Sequence, residues 1–154
     1  MRTTSALLTF VLLCPAGCDK PDKQRGSPDD NAPLGEPVET VRADHLFDAY
    51  QANALGADQK YKGKVLRVAG AGRVSERDGR YFVSLYGAES VRTGAFYPAV
   101  IGRIDKAAEA DFAKLKAQDA IEVIGLCAGK RTDWRGTWKG YYILIDRCRL
   151  AASK

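Results

Sequence analysis

The sequence predicts a mainly β domain, a five-stranded barrel with one helix ahead of it and another between its third and fourth strands. Three observations point there. Short runs rich in strand-forming residues keep a two-residue period, with Tyr81, Val83 and Leu85 on one face of Tyr81–Leu85 and Ile121, Val123 and Cys127 on one face of Ile121–Cys127. The first run, Val65–Val74, is interrupted by Gly70 and Gly72, which weaken a strand unless it must bend sharply, as the first strand of a small barrel does. Two segments with helical spacing stand where the helices are expected.

The chain opens with Arg2, an apolar run from Ala6 to Leu13, and Pro15-Ala16-Gly17-Cys18. This is the order of a charged region, a short hydrophobic region and a small-residue cleavage site. The run is too short for a mature membrane span, which takes roughly 20 residues. Residues 1–17 therefore read as a signal peptide. Ala16-Gly17-Cys18 resembles the lipobox of bacterial lipoproteins, with Pro15 where leucine is usual. That resemblance implies that Cys18 is lipidated and becomes the first mature residue. Cys14 follows the bulky Leu13 and leaves with the leader. An ordinary secretory signal with an incidental cysteine is the alternative, and it implies export equally. Residues 18–37 carry prolines and charges of both signs with almost nothing to bury, and read as a lipidated N-terminus and flexible tether. The expected location is the extracytoplasmic side of a bacterial cell envelope, on the membrane through the anchor.

Residues 38–154 are expected to form one domain, since 154 residues with 45% hydrophobic content suffice for one core. Ala43, Leu46, Phe47, Tyr50 and Ala54 share a helical face up to about Leu55, with Thr40 the nearest N-cap candidate and Gly56 a stop. Arg77-Asp78-Gly79-Arg80 signals a hairpin turn between strand one and Tyr81–Leu85. After a turn at Gly87-Ala88-Glu89, Val91–Tyr97 is the expected third strand, ended by Pro98. Asp105 caps a helix to about Ala117, in which Ala108, Phe112 and Leu115 share a face. On strand four Ile121, Val123, Gly125 and Cys127 share one parity; on strand five Leu144, Cys148 and Leu150 do.

Helix, three strands, helix, two strands is the layout of a Greek-key barrel of the OB type. The residues also carry a family likeness. Leu46 with Tyr50 and Asn53, then Ala57, Tyr61-Lys62-Gly63-Lys64, Val68-Ala69-Gly70, Val123-Ile124-Gly125-Leu126-Cys127 and Cys148-Arg149-Leu150 resemble the tRNA_anti-like proteins over roughly Val41–Leu150. The resemblance implies an OB-like barrel with a leading helix, usually behind a signal or lipoprotein leader, and no known activity. Two features depart from the family pattern. Gln118-Asp119 stands where a glycine usually precedes the acid entering strand four, which predicts a wider or differently capped turn. Ala128–Gly140 is longer than the family's usual hairpin.

Cys127 and Cys148 are an even pair in an exported chain, each in phase with apolar neighbours, so opposed strands are expected to join them in a disulfide. The intervening loop holds Lys130, Arg131, Trp134, Arg135, Trp138 and Lys139, both tryptophans of the chain among four cations, with a single acid. Cations interleaved with aromatics suit an anionic polymer or oligosaccharide; OB folds use this loop for both classes, and stacking adds about 1–3 kcal/mol per nucleic-acid base. The structural alternative pairs Trp134 with Trp138 across the hairpin, touching no ligand. That pairing is out of register with opposed cysteines, and Gly140 is the expected bulge between them.

The charge of +5 and pI near 9.1 admit an anionic partner without naming one. No nucleophile motif, metal-spaced cluster or phosphate-cradling loop is present, so no cofactor, no metal and no enzyme activity are expected. His45, the only histidine, is expected at the surface. The expected function is a lipid-anchored binding module for an anionic or oligomeric ligand, with nucleic acid less favoured outside the cytoplasm. The alternative is a structural or adaptor lipoprotein that packs against another envelope protein.

Overall fold

The structure, a computed structural model, describes residues 33–87, 100–132 and 140–152, all within the unit spanning 32–154. The expected leader, Cys18 and most of the tether lie outside these residues. Among the described residues ten elements follow in order: β1 (Glu39–Arg42), α1 (Ala43–Ala52), α2 (Ala54–Tyr61), β2 (Val65–Arg77), β3 (Arg80–Tyr86), β4 (Val100–Ile104), a 3-10 turn (Lys106–Ala108), α3 (Glu109–Phe112), β5 (Asp119–Arg131) and β6 (Tyr142–Leu150).

Strands β2, β3, β4, β6 and β5 are neighbours in that order, and β5 returns to β2 to close the barrel. Only β4 and β6 run parallel within it. This is the expected five-stranded OB-type barrel. Closure depends on β2, which pairs β5 from Val65 to Gly72 and β3 from Ala71 to Arg77. The handover falls at Gly72, where the Ile121 side chain packs into the space that a Cβ would take. The turn Asp78-Gly79 has positive φ at both residues, the two-residue hairpin loop expected.

Leu46 and Tyr50 of α1 are 0% and 1% exposed and close the barrel end formed by the start of β2, the end of β5 and the start of β6. A ten-residue helix is marginal alone. Burying each such side chain contributes roughly 1.5–3 kcal/mol, which is what holds α1 in place.

Several local expectations are corrected. Thr40 is not a cap; it lies in β1, a four-residue strand parallel to β2, and Arg42 precedes the helix without a side-chain cap. The single helix to Leu55 is two helices. Asn53 breaks them and caps the second, its side chain accepting from Gly56 N–H at 3.0 Å, so Gly56 is inside α2 rather than a stop, and Ala54 is exposed. The expected strand Val91–Tyr97 lies outside the described residues, and the strand paired with β3 is Val100–Ile104, beyond Pro98. Asp105 does cap the following turn, accepting from Ala107 N–H at 3.1 Å, but the helix is a 3-10 turn and one α-turn ending at Phe112. At the turn into β5, Gln118 adopts φ 72° and donates its N–H to the Gly72 carbonyl at 2.8 Å, and Asp119 accepts from Lys116 N–H at 2.8 Å.

The expected facing of Cys127 and Cys148 is also overturned. Cys127 pairs with Ile145, while Arg147 and Cys148 together oppose Gly125 in a bulge. Arg147, at φ 55°, is the extra residue. It shifts the alternation by one, so Ile143, Ile145 and Cys148 point inward and Leu144 does not. Both thiols are free and buried. Cys127 meets the Tyr50 hydroxyl at 3.7 Å, and Cys148 donates to the Ile145 carbonyl at 3.4 Å. A Cβ at Gly102 or Gly125 would lie 2.6 or 3.1 Å from the Cys148 sulfur, so two glycines make its space.

Candidate ligand-binding hairpin

The β5–β6 hairpin continues past the barrel end that α1 closes. A second bulge sits on its outgoing strand, where Cys127 pairs with Ile145 but Gly129 with Leu144, leaving Ala128 unopposed. Gly129 has φ 83° and lies against α2; a Cβ there would be 2.8 Å from Asp58 Oδ1 and 3.3 Å from the Lys62 stem. Glycine permits both the left-handed backbone and the close approach. The bulge thus turns the strand end against the helices.

Lys130 and Arg131 are the last residues of β5, opposite Ile143 and Tyr142, and both are exposed. Neither makes an ion pair among the described residues. The Lys130 ammonium lies 3.9 Å from the centre of the Tyr141 ring, and Tyr141 stacks on Phe47 of α1 with centroids 4.8 Å apart and planes 9° from parallel. Phe47 and Lys130 thus both occupy the Tyr141 ring. Stacking contributes about 0.5–1.5 kcal/mol and the exposed cation–π contact about 0.5–1 kcal/mol. Burial, then the charge of Asp48, pushes the Tyr141 phenol above its ordinary value, so the ring stays neutral. Tyr141 therefore braces the hairpin and is not an open stacking platform.

Of the expected ligand residues, the structure places Lys130 and Arg131 side by side in sequence at the hairpin base. Trp134, Arg135, Trp138 and Lys139 lie outside the described residues. Phe47 and Tyr141 were not expected here: Phe47 reads as part of the buried helix face. Tyr141, directly after Gly140, was the available signal. His45 is exposed, as expected. No group of three or more His, Cys, Asp or Glu able to hold a metal occurs among the described residues.

A separate groove of about 1080 Å³ lies on the outer face of β2 and β5. Arg67 there pairs with Glu122 at 3.1 Å and Arg42 with Asp44, and none of the expected ligand residues lines it.

This strand order, closure and helix-capped barrel define an OB-fold protein. The chain belongs to the tRNA_anti-like family, whose sequence model matches residues 6–135. Among solved structures it is similar to a proposed nucleic acid-binding lipoprotein from Klebsiella pneumoniae, at 15% identity and TM-score 0.48, over 73% of this chain and 91% of that one. It is also similar to OBody NL8, solved bound to hen egg-white lysozyme, at 15% identity and TM-score 0.36, over 60% and 98% of the two chains. No curated protein matches.

Proposed function

We propose that the chain is an extracytoplasmic binding module, anchored to a bacterial membrane through lipid on Cys18, whose β5–β6 hairpin holds an anionic oligomer. The observation that carries this reading is the pair Lys130 and Arg131, exposed and free of ion pairs among the described residues, on a hairpin base braced by Phe47 and Tyr141. In sequence their charge continues into Arg135 and Lys139, beside Trp134 and Trp138. Cations spaced along a hairpin match charges spaced along a chain better than one small anion. The brace matters because immobilising each flexible side chain on binding costs about 0.5–1.5 kcal/mol. Export supports an anionic oligosaccharide over a nucleic acid.

A fluorescent oligouronate and a single-stranded oligonucleotide titrated into the full chain test the reading. Binding is expected to saturate and to weaken steeply with salt. The double variant Trp134→Ala/Trp138→Ala should lose about tenfold or more, as for one lost stacking contact, with little change in Tm. A clear fall in Tm with unchanged capture would show that the tryptophans serve the hairpin alone. Cys18→Ala should release a soluble form; retention at the membrane, with no lipid mass on the wild type, refutes the anchor.

A further inference from the structure

At the ends of the long strands away from the β5–β6 hairpin, the β2–β3 hairpin, β4 and α3 enclose a pocket of about 280 Å³. Val74, Tyr81, Ile104, Glu109, Phe112 and Ala113 line it. Phe112 and Ile104 are buried at 1% and 7% exposure, whereas Tyr81 is 39% exposed, unusual for a large apolar ring in this domain. The volume falls just under the roughly 300–1,000 Å³ usual for small-molecule sites and suits one anchoring side chain.

Glu109 is the one charged residue lining this pocket. It is half-buried and its carboxylate makes no hydrogen bond or ion pair among the described residues. Its neighbours differ: Asp111 pairs with Lys114 at 3.2 Å, and Asp105 caps the Ala107 N–H. Apolar walls screen part of this carboxylate from water, and no group among the described residues pairs with it. An anion entering the pocket would be repelled. A neutral apolar group would bury the carboxylate further. A cation on an aliphatic stem satisfies every wall, since the stem packs on Val74, Ile104 and Phe112 while the head meets Glu109 and the Tyr81 ring.

We propose that this pocket docks a lysine or arginine side chain presented by a partner protein. A single amine in so small a pocket gains little affinity by itself; the surrounding surface of a protein supplies the rest, as around other anchor residues. The site is separate from the anionic-ligand hairpin, and either reading can fail without the other.

The test uses the ¹⁵N-labelled full chain and blocked glycine–serine hexapeptides carrying one central lysine, arginine or norleucine. The lysine or arginine peptide should give saturable amide shifts at Tyr81, Phe112 and Ala113. The norleucine peptide should bind about fivefold more weakly, the ratio for a partly exposed charge pair of about 1 kcal/mol. Glu109→Gln should bring the lysine peptide down to the norleucine level. Equal binding of the norleucine peptide, absence of saturable shifts, or an unchanged Glu109→Gln variant each overturns the proposal. The wild-type peptide comparison stands even if that variant fails to fold. Butylammonium binding as tightly as the peptides would assign the pocket to free amines and overturn the protein-partner reading. Concentration-dependent shifts at the same amides without peptide would support it, with a second copy of the chain as the partner.

Discussion

The two hairpins of the barrel reach their registers by different means. In β2–β3 the pairing runs unbroken from Ala71 opposite Tyr86 to Arg77 opposite Arg80, and the turn residues Asp78 and Gly79, at φ 51° and 70°, suffice to set it. In β5–β6 the register shifts twice, at Ala128 and at Arg147, and the core sets it instead. Cys148 turns inward because Gly102 and Gly125 leave room for its sulfur. A tight turn carries its own instruction, whereas a long loop leaves the choice to side chains far from its tip.

The contrast is broken most directly at Gly125. A Cβ there would lie 2.6 Å from Ile145 Cγ2 and 2.7 Å from the Asp146 carbonyl, and the carbonyl belongs to backbone. Gly125→Ala should therefore cost about 3 kcal/mol in urea unfolding, the upper range for overpacking. Gly79→Ala in the tight turn should cost less, about 1–2 kcal/mol for one left-handed residue. A reversed ranking would mean that the turn, not the core, dominates both hairpins.

Alkaline titration sharpens the same point. Burial raises the thiol pKa of both Cys127 and Cys148. Unfolded thiols ionise near pH 8.5 while the folded ones keep their protons, so this stability is intact below about pH 8.5 and falls as pH rises beyond it. The loss should approach about 1.4 kcal/mol per pH unit for the fully buried Cys148, with Cys127 adding to it, measured as Tm from pH 7 to 10. The Tyr50 phenol, also raised by burial, adds to the loss only above about pH 10. A flat Tm up to pH 10, or failure of both cysteines to label on unfolding without reductant, would contradict free buried thiols.

The smallest effect is expected where the chain enters β5. Gln118 holds a left-handed conformation that glycine adopts without steric cost. Gln118→Gly should raise stability by about 0.5–1 kcal/mol, the steric gain less glycine's entropy loss, and a loss would mean that the glutamine side chain has a role of its own.

Strand order and closure were legible because alternation, the glycine-bent first strand and the Asp78-Gly79 turn are all local signals. What escaped was set by packing at a distance. β1 is four residues long and gains its order from β2, so Glu39–Arg42 carries no period. The Arg147 bulge has no residue signature, since arginine rarely signals a left-handed backbone, and missing it put Leu144 on the same face as Cys148. At the candidate site the basic loop was visible in sequence, but the Phe47–Tyr141 brace joins residues far apart in the chain. The pocket beside Glu109 leaves no mark in the sequence, because it exists only after β2, β4 and α3 come together.

The parallel seating of β1 has a consequence for where the hairpin works. Val38 donates to the Val65 carbonyl at 3.0 Å, and Val65 pairs with Leu126, so the chain joins the barrel at the end from which β5 continues to Arg131. Were residues 18–37 to act as the tether that their composition predicts, behind the proposed anchor at Cys18, their root-mean-square reach would be about 25 Å. The hairpin would then sweep a shallow shell above the surface that carries the lipid. A ligand fixed to that surface would be met at an effective concentration on the order of millimolar. Capture there needs only modest intrinsic affinity, and cleavage of the tether would abolish it without altering a single contact in the site.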